Sequence, residues 1–396
     1  MTFPTKKLGE ICDLFTDGDW IETKDQSSEG IRLVQTGNIG QGVFKDRGEK
    51  ARYISEKTFK RLNCTEVLPG DILISRLPDP VGRACIVPEV GKKMITAVDC
   101  TIVRLNEHLI LSKFFNYFAQ SNKYLREVKD KTTGTTRERI SRKNLGLIDI
   151  PIPSIPEQKR IVKILDEVFE GIAKAKENTE KNLRNSRELF ESTLESAFTD
   201  SEDNWELAKL EDVCRISSKL VDPREKMFVD LPHVGGANIE SRDGNLINLQ
   251  TAREEKLKSG KFVFDEGMVL YSKIRPYLMK VARPNFSGLC SADIYPLSPE
   301  SSKIIRDYLF YLLLTSDFTQ YAIKGSGRAG MPKVNREHLF EYGFSLPPLK
   351  TQKLITSKLD SLASETKKLE AIYQHKLNDL EELKKSVLKK AFSGEL

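Results

Sequence analysis

The sequence predicts an α/β fold in duplicate: two similar globular domains separated by two long helices that form an antiparallel coiled coil, with a pseudo-twofold relating the halves. Three observations predict it. Pro153-Ser154-Ile155-Pro156-Glu157-Gln158-Lys159-Arg160-Ile161 returns 194 positions later as Pro347-Pro348-Leu349-Lys350-Thr351-Gln352-Lys353-Leu354-Ile355. At the same offset Leu165-Asp166 returns as Leu359-Asp360 and Ala197-Phe198 as Ala391-Phe392, so the register holds through a whole helical stretch. Upstream the repeat continues with small length changes. Leu8-Gly9-Glu10-Ile11-Cys12 matches Leu210-Glu211-Asp212-Val213-Cys214 at offset 202, and Gly70-Asp71-Ile72-Leu73-Ile74-Ser75-Arg76 matches Gly267-Met268-Val269-Leu270-Tyr271-Ser272-Lys273 at 197. Surface loops tolerate such insertions cheaply and core elements do not. A period near 194 far exceeds the roughly 20–50 residues of stacked repeats, so each unit is a whole domain.

In order, the first domain covers 1–153, with strand-like runs at 31–35, 71–75, 84–87 and 101–105 and a helix over 111–128. A helical spacer fills 154–200. The second domain, 201–347, offers strands at 269–272, 280–282 and 294–297 and a helix over 302–323; a second helical spacer takes 348–396. Turn signals such as Pro69-Gly70-Asp71 and Asp265-Glu266-Gly267 precede the strands. In the first spacer apolar residues step by three and four through Ile161, Leu165, Val168, Ile172, Phe190 and Leu194. The second spacer gives Ile355, Leu359, Leu362, Leu369, Leu380 and Leu383. That approaches a heptad seam, too narrow to cover a globule and suited to one helix partner.

Composition narrows the function classes. Hydrophobic residues are 39% of the 396, and no run approaches the roughly 18 apolar residues of a membrane span. Met1 to Lys7 lacks the apolar stretch of a signal peptide, so a soluble, cytoplasmic chain is expected. Six scattered cysteines without Cys-x-x-Cys, and four scattered histidines, predict neither a disulfide framework nor a zinc site. Catalytic signatures fail on inspection. Gly325-Ser326-Gly327-Arg328-Ala329-Gly330 spells the dinucleotide pattern but follows a helix, and Pro332 interrupts what should be the next one. Pro78-Asp79 with Glu89 and Lys92 has the order of a nuclease carboxylate cluster, yet Glu89-Val90-Gly91-Lys92 is one residue too long.

The formal charge of +6 is concentrated. Residues 129–143 and 324–336 each carry a net +4, and they occupy matching places in the repeat. A single basic run is usually a solvated face. Its duplication favours phosphate contact by Arg and Lys, with Arg, Asn, Gln, Ser or Thr able to reach base edges in the major groove. The candidate DNA contacts are Lys131, Thr133, Arg137, Arg139, Arg142 and Lys143 in the first segment and Lys324, Ser326, Arg328, Lys333 and Arg336 in the second. Arg76 and Arg83, with their counterparts Lys273, Arg275 and Lys280, are expected to line the same groove. Asn38 and Asn238 follow strands as base readers or as turn residues.

With these residues in hand the chain resembles the specificity subunits of type I restriction-modification enzymes. The likeness rests on the two Pro-rich helix starts with Gln158-Lys159-Arg160-Ile161 and Gln352-Lys353-Leu354-Ile355, on the two long helices, and on the ending Lys390-Ala391-Phe392-Ser393-Gly394-Glu395-Leu396. Lys350 and Thr351 stand where the first start has Pro156 and Glu157. The resemblance implies two target-recognition domains, 1–153 and 201–347, each reading half of a bipartite double-stranded DNA site. It implies helices that space the readers and dock two modification (methyltransferase) subunits and restriction subunits. It further implies no cofactor on this chain, with S-adenosylmethionine, ATP and Mg²⁺ belonging to partners that methylate adenine and cleave DNA. Two readings of other classes compete. A coiled-coil scaffold whose heads bind proteins predicts no sequence-selective DNA shift, and a stand-alone metal-dependent nuclease predicts cleavage with magnesium and no partner.

Overall fold

In the computed structural model, residues 3–134, 137–199, 205–216, 219–327 and 331–396 are described. The chain divides into two compact units, Met1–Glu180 with Gln374–Leu396, and Lys181–Tyr373.

The first unit is built on an antiparallel sheet in the order Cys12–Asp17, Cys100–Leu105, Ile72–Ser75, Ala84–Ile86. Side chains alternate across a strand. Ile72 and Ile74 therefore enter one core with Val103 and the helices, while Leu73, Cys85 and Ile102 enter another with Val34 and Met94. Burial on both faces explains why 72–74 reads as a continuous apolar run. A second sheet runs Gln26–Ser27, Arg52–Ile54, Ile31–Val34, Met94–Thr96, its last pair parallel. The single helix expected over 111–128 is two, Ser112–Phe118 and Asn122–Asp130, because the Ser121 hydroxyl caps the second by accepting from the Tyr124 amide (3.3 Å).

The second unit repeats the plan. Its antiparallel sheet runs Cys214–Ile216, Ile294–Pro299, Val269–Ser272, Val281–Ala282. Its helical segment is again split, into Arg306–Leu312 and Ser316–Lys324, with Thr315 capping the Phe318 amide at 3.3 Å. The other sheet differs: Gly288–Cys290 lies inside the order, between Lys261–Phe264 and Pro232–Val234, whereas its counterpart Met94–Thr96 is an edge strand.

The two long helices are Ile155–Thr199 and Leu349–Ser393, 45 residues each. Pro156 falls in the first turn, where its missing amide costs nothing. Within the first unit, Arg160 donates to the Leu396 carbonyl (2.6 Å) and Lys176 pairs with Glu381 (3.1 Å), so the helical segments there run antiparallel. Within the second, Arg187 pairs with Glu370, and Leu194 shares a core with Leu359. Ile161 and Leu165 do not wait for a helix partner alone. They join the first unit's core with Leu388, Ala391 and Phe392, whose ring meets Phe114 (5.3 Å) and Phe118 (5.1 Å) edge-on. Phe190 and Ile355 pack half-buried against the second unit's core, and Val168, Ile172, Leu362 and Leu380 are half-buried. Leu369 (39% exposed) and Leu383 (47%) correct the expected seam. A single helix partner covers one narrow stripe, and these two positions lie off it.

Candidate nucleic-acid interface

Each basic segment folds back on the end of an inner strand of its unit's antiparallel sheet, and the two do so by the same bonds. The Ile140 amide donates to the Arg76 carbonyl (3.2 Å), and the Val334 amide to the Lys273 carbonyl (2.9 Å). Arg139 pairs with Asp99 (3.0 Å), and Lys333 approaches Asp293 at 3.5 Å. In the first unit a Thr133–Arg139 bridge closes the loop, and in the second an Ile274–Lys333 bridge ties it down. Short helices then end the segments. Arg142–Gly146 is capped by Ser141 on the Asn144 amide (3.1 Å) and Arg336–Phe340 by Asn335 on the His338 amide (2.7 Å).

Four cations expected in the groove are instead internal brackets. Arg76 is 5% exposed and donates to the Val98 carbonyl (2.5 Å); Lys273, 9% exposed, donates to the Ala292 carbonyl at the same distance, and Val98 and Ala292 stand 194 positions apart. Arg83 is buried and spends its guanidinium on four carbonyls, Thr36 (2.9 Å), Ile39 (2.8 Å), Leu77 (2.7 Å) and Pro80 (3.1 Å). Lys280 is half-buried and holds the Gly236 carbonyl. Burial pulls the pKa of Arg76, Arg83 and Lys273 below the ordinary value. Backbone carbonyls at a strand end need donors, and these side chains supply them. Ser326 is buried too, its hydroxyl on the Ile323 carbonyl (2.7 Å). Asn38 and Asn238 resolve as turn residues. Each accepts from the amide three positions earlier, Gln35 (3.0 Å) and Gly235 (2.8 Å), and donates to carbonyls across the turn.

The remaining candidates face solvent. Lys131 is half-buried beside Glu127 (3.6 Å), Thr133 is exposed, and Arg142 leans on the Thr16 hydroxyl (3.4 Å). Arg137, Lys143, Arg275, Lys324 and Arg336 are exposed, and among the described residues none has a side-chain ion-pair or hydrogen-bond partner. Arg328 lies outside the described residues. Each unit thus presents unpaired cations from a loop clamped to a rigid strand end, which is the arrangement that grips phosphates without collapsing onto its own acids. Among the described residues no three His, Cys, Asp or Glu side chains converge to hold a metal ion.

Sequence reasoning misses the residues that hold this platform to the helices. Gln158 and Gln352 are wholly buried. Gln158 accepts from the Leu111 amide (2.9 Å) and donates to the carbonyls of Leu109 and Pro153 (both 2.9 Å). Gln352 does the same with Ile305 (2.9 Å), Lys303 (2.8 Å) and Pro347 (2.9 Å). Further along each helix, Asp166 accepts from the Tyr117 hydroxyl and Asp360 from the Tyr311 hydroxyl, both at 2.7 Å. The signal is present in the chain: both glutamines and both aspartates stand at offset 194. So do the loop anchors Asp99 and Asp293.

The sequence matches the family profile described as type I restriction modification DNA specificity domain twice, over residues 2–183 and 202–381. The EcoDI specificity subunit of Escherichia coli, a type I restriction enzyme component, is 29% identical over 73% of this chain and 71% of its own length. The MjaIX specificity subunit of Methanocaldococcus jannaschii is 24% identical over 82% of this chain and 75% of its own. Among solved structures, a chain from work on the assembly and conformational transition of a type I restriction-modification system superposes with a TM-score of 0.79. That likeness covers 100% of this chain and 98% of the other at 18% identity. The HsdS subunit of Thermoanaerobacter tengcongensis gives 0.60 at 19%, covering 100% and 97%. At these identities the two structures speak for the fold.

Proposed function

Because the chain belongs to the family of type I restriction modification DNA specificity proteins, we propose that it is the subunit that reads DNA sequence for a modification and restriction complex. One observation carries the reading. The same solvent-facing cationic loop is anchored twice, by Asp99 on Arg139 and Asp293 on Lys333, to the end of the same strand of the same sheet. A scaffold that binds proteins has no need of two phosphate grips. Each unit contributes one half of a bipartite double-stranded site. Phosphate contacts set the register, and neighbouring side chains read base edges. The chemistry resides elsewhere: two modification subunits carry S-adenosylmethionine and methylate adenine, and restriction subunits use ATP and Mg²⁺. The work is cytoplasmic, where the chromosome is. Genome-wide mapping of methylated adenines tests this. Deleting the chain is expected to erase methylation at one two-part sequence, and persistence of every methylated motif would refute the proposal.

A further inference from the structure

A hairpin turn follows the anchored strand in both units, and its tip changes chemistry between them. The Ser75 amide bonds to the Arg83 carbonyl (2.9 Å) and the Ser272 amide to the Lys280 carbonyl (3.0 Å), so the two turns begin and end at matching residues. Both are built rigid. In the first unit Arg83 ties down the Leu77 and Pro80 carbonyls, and Leu77 is buried. In the second, Pro276 is buried under a single helical turn, Pro276–Leu278. Arg275 (φ 52°) and Met279 (φ 49°) flank it in the left-handed region that non-glycine residues avoid. The Arg275 amide also bonds to the Pro332 carbonyl (2.9 Å), which joins the turn to the cationic loop.

What these rigid tips present is opposite. The first offers the exposed carboxylate of Asp79, and the second the exposed guanidinium of Arg275 and, two residues on, the half-exposed ring of Tyr277. Neither Asp79 nor Arg275 has a side-chain hydrogen-bond or ion-pair partner among the described residues. The Asp79 carboxylate lies within the electrostatic reach of the buried Arg83 guanidinium but makes no hydrogen bond to it, and a carboxylate facing a phosphate backbone works against affinity. Toward DNA it becomes useful where it accepts a hydrogen bond from a base, because ionised Asp is an acceptor only and Arg a donor only. In the major groove cytosine shows an amino donor, and guanine shows the O6 and N7 acceptors that suit an Arg fork.

We propose that these two turns are the base-reading tips of the two domains, Asp79 selecting cytosine in one half-site and Arg275, backed by Tyr277, selecting guanine in the other. This rests on the DNA-reading function proposed above. The test is selection of bound duplexes from a randomised pool by the full chain, followed by sequencing, for wild type, Asp79→Asn, Arg275→Gln and Tyr277→Ala. Asp79→Asn is expected to lose about tenfold or more of the cytosine preference at one base pair of one half-site, and to bind random duplex no more weakly. Arg275→Gln should lose a guanine preference in the other half-site only, and Tyr277→Ala should blunt discrimination in that same half. Motifs identical to wild type, a change in the same half-site for both, or a uniform fall across all sequences would overturn the assignment while leaving the function standing. A wild-type chain that enriches no sequence would overturn the function and the assignment together. Unchanged thermal melting of the variants excludes misfolding as the cause.

Discussion

Gln158→Ala is expected to unfasten the first helix from its domain at a cost that can be worked from three bonds. The side chain accepts from the Leu111 amide and donates to the Leu109 and Pro153 carbonyls, all at 2.9 Å, and is 0% exposed. A hydrogen bond contributes about 1 kcal/mol net, and a buried group left unpaired costs about 1–3 kcal/mol. Removing a buried methylene adds about 0.8 kcal/mol. Three bonds at the net figure and one methylene come to about 4 kcal/mol, before any further cost of the groups left unpaired, already a large share of the roughly 5–15 kcal/mol that holds a domain folded. Gln158→Glu discriminates mechanism from mere size. It keeps the acceptor for Leu111 but aims carboxylate oxygens at two carbonyls, so it should destabilise more than alanine does. Amide hydrogen exchange reads the effect locally: protection at Leu111 should fall in the Gln158 variants, and at Ile305 in Gln352→Ala. A destabilisation below about 1 kcal/mol, or a Gln158→Glu variant as protected as wild type, would refute the claim that the buried glutamine fastens helix to domain.

Replacing Arg137 and Lys143 together by alanine, or Lys324 and Arg336 together, should flatten the dependence of log affinity on log salt by about 0.9 for each phosphate no longer gripped; an unchanged slope in titrations across salt would remove these cations from the interface. Arg83→Ala should act oppositely, because four carbonyls are deprived of their donor. Urea denaturation should show the first unit weakened by about 2–4 kcal/mol, and a variant of normal stability with an altered salt slope would make Arg83 a DNA contact after all. His233 sets a pH dependence. Burial, only partly offset by Glu255 at 2.9 Å, holds its pKa below 6.5, and its Nε2 is buried without a partner among the described residues. The unfolded chain therefore takes up the proton first. Stability of the second unit should be complete above about pH 6.5 and fall as the pH drops below it. Denaturation midpoints measured from mildly acidic to mildly alkaline pH should show this slope in wild type and not in His233→Asn; a slope surviving the substitution would place its source elsewhere.

Much of this molecule is legible in the sequence because duplication leaves a mark that no single motif does. The constant offset of 194 locates both long helices, and the apolar runs 72–74 and 269–271 locate the strands that carry the site. Helix breaks are harder. Ser121 and Thr315 read as ordinary residues inside a helical pattern, and only their hydroxyls on the Tyr124 and Phe318 amides reveal them as caps. Strands such as Lys261–Phe264 escape a reading of the sequence because their pattern does not alternate cleanly.

The sequence by itself determined that there are two units of one design, two long helices, and two clusters of positive charge, since periodicity and composition survive without coordinates. Only the tertiary structure decided which cations are free. Arg83 and Arg137 are the same residue type, yet the first is enclosed by four carbonyls of a strand end and the second is open to solvent. The reason is that a guanidinium satisfies whatever acceptors surround it. Whether those are the protein's own carbonyls or a partner's phosphates depends on acceptors such as the Thr36 and Ile39 carbonyls, 47 and 44 residues away in the chain, which no local pattern records.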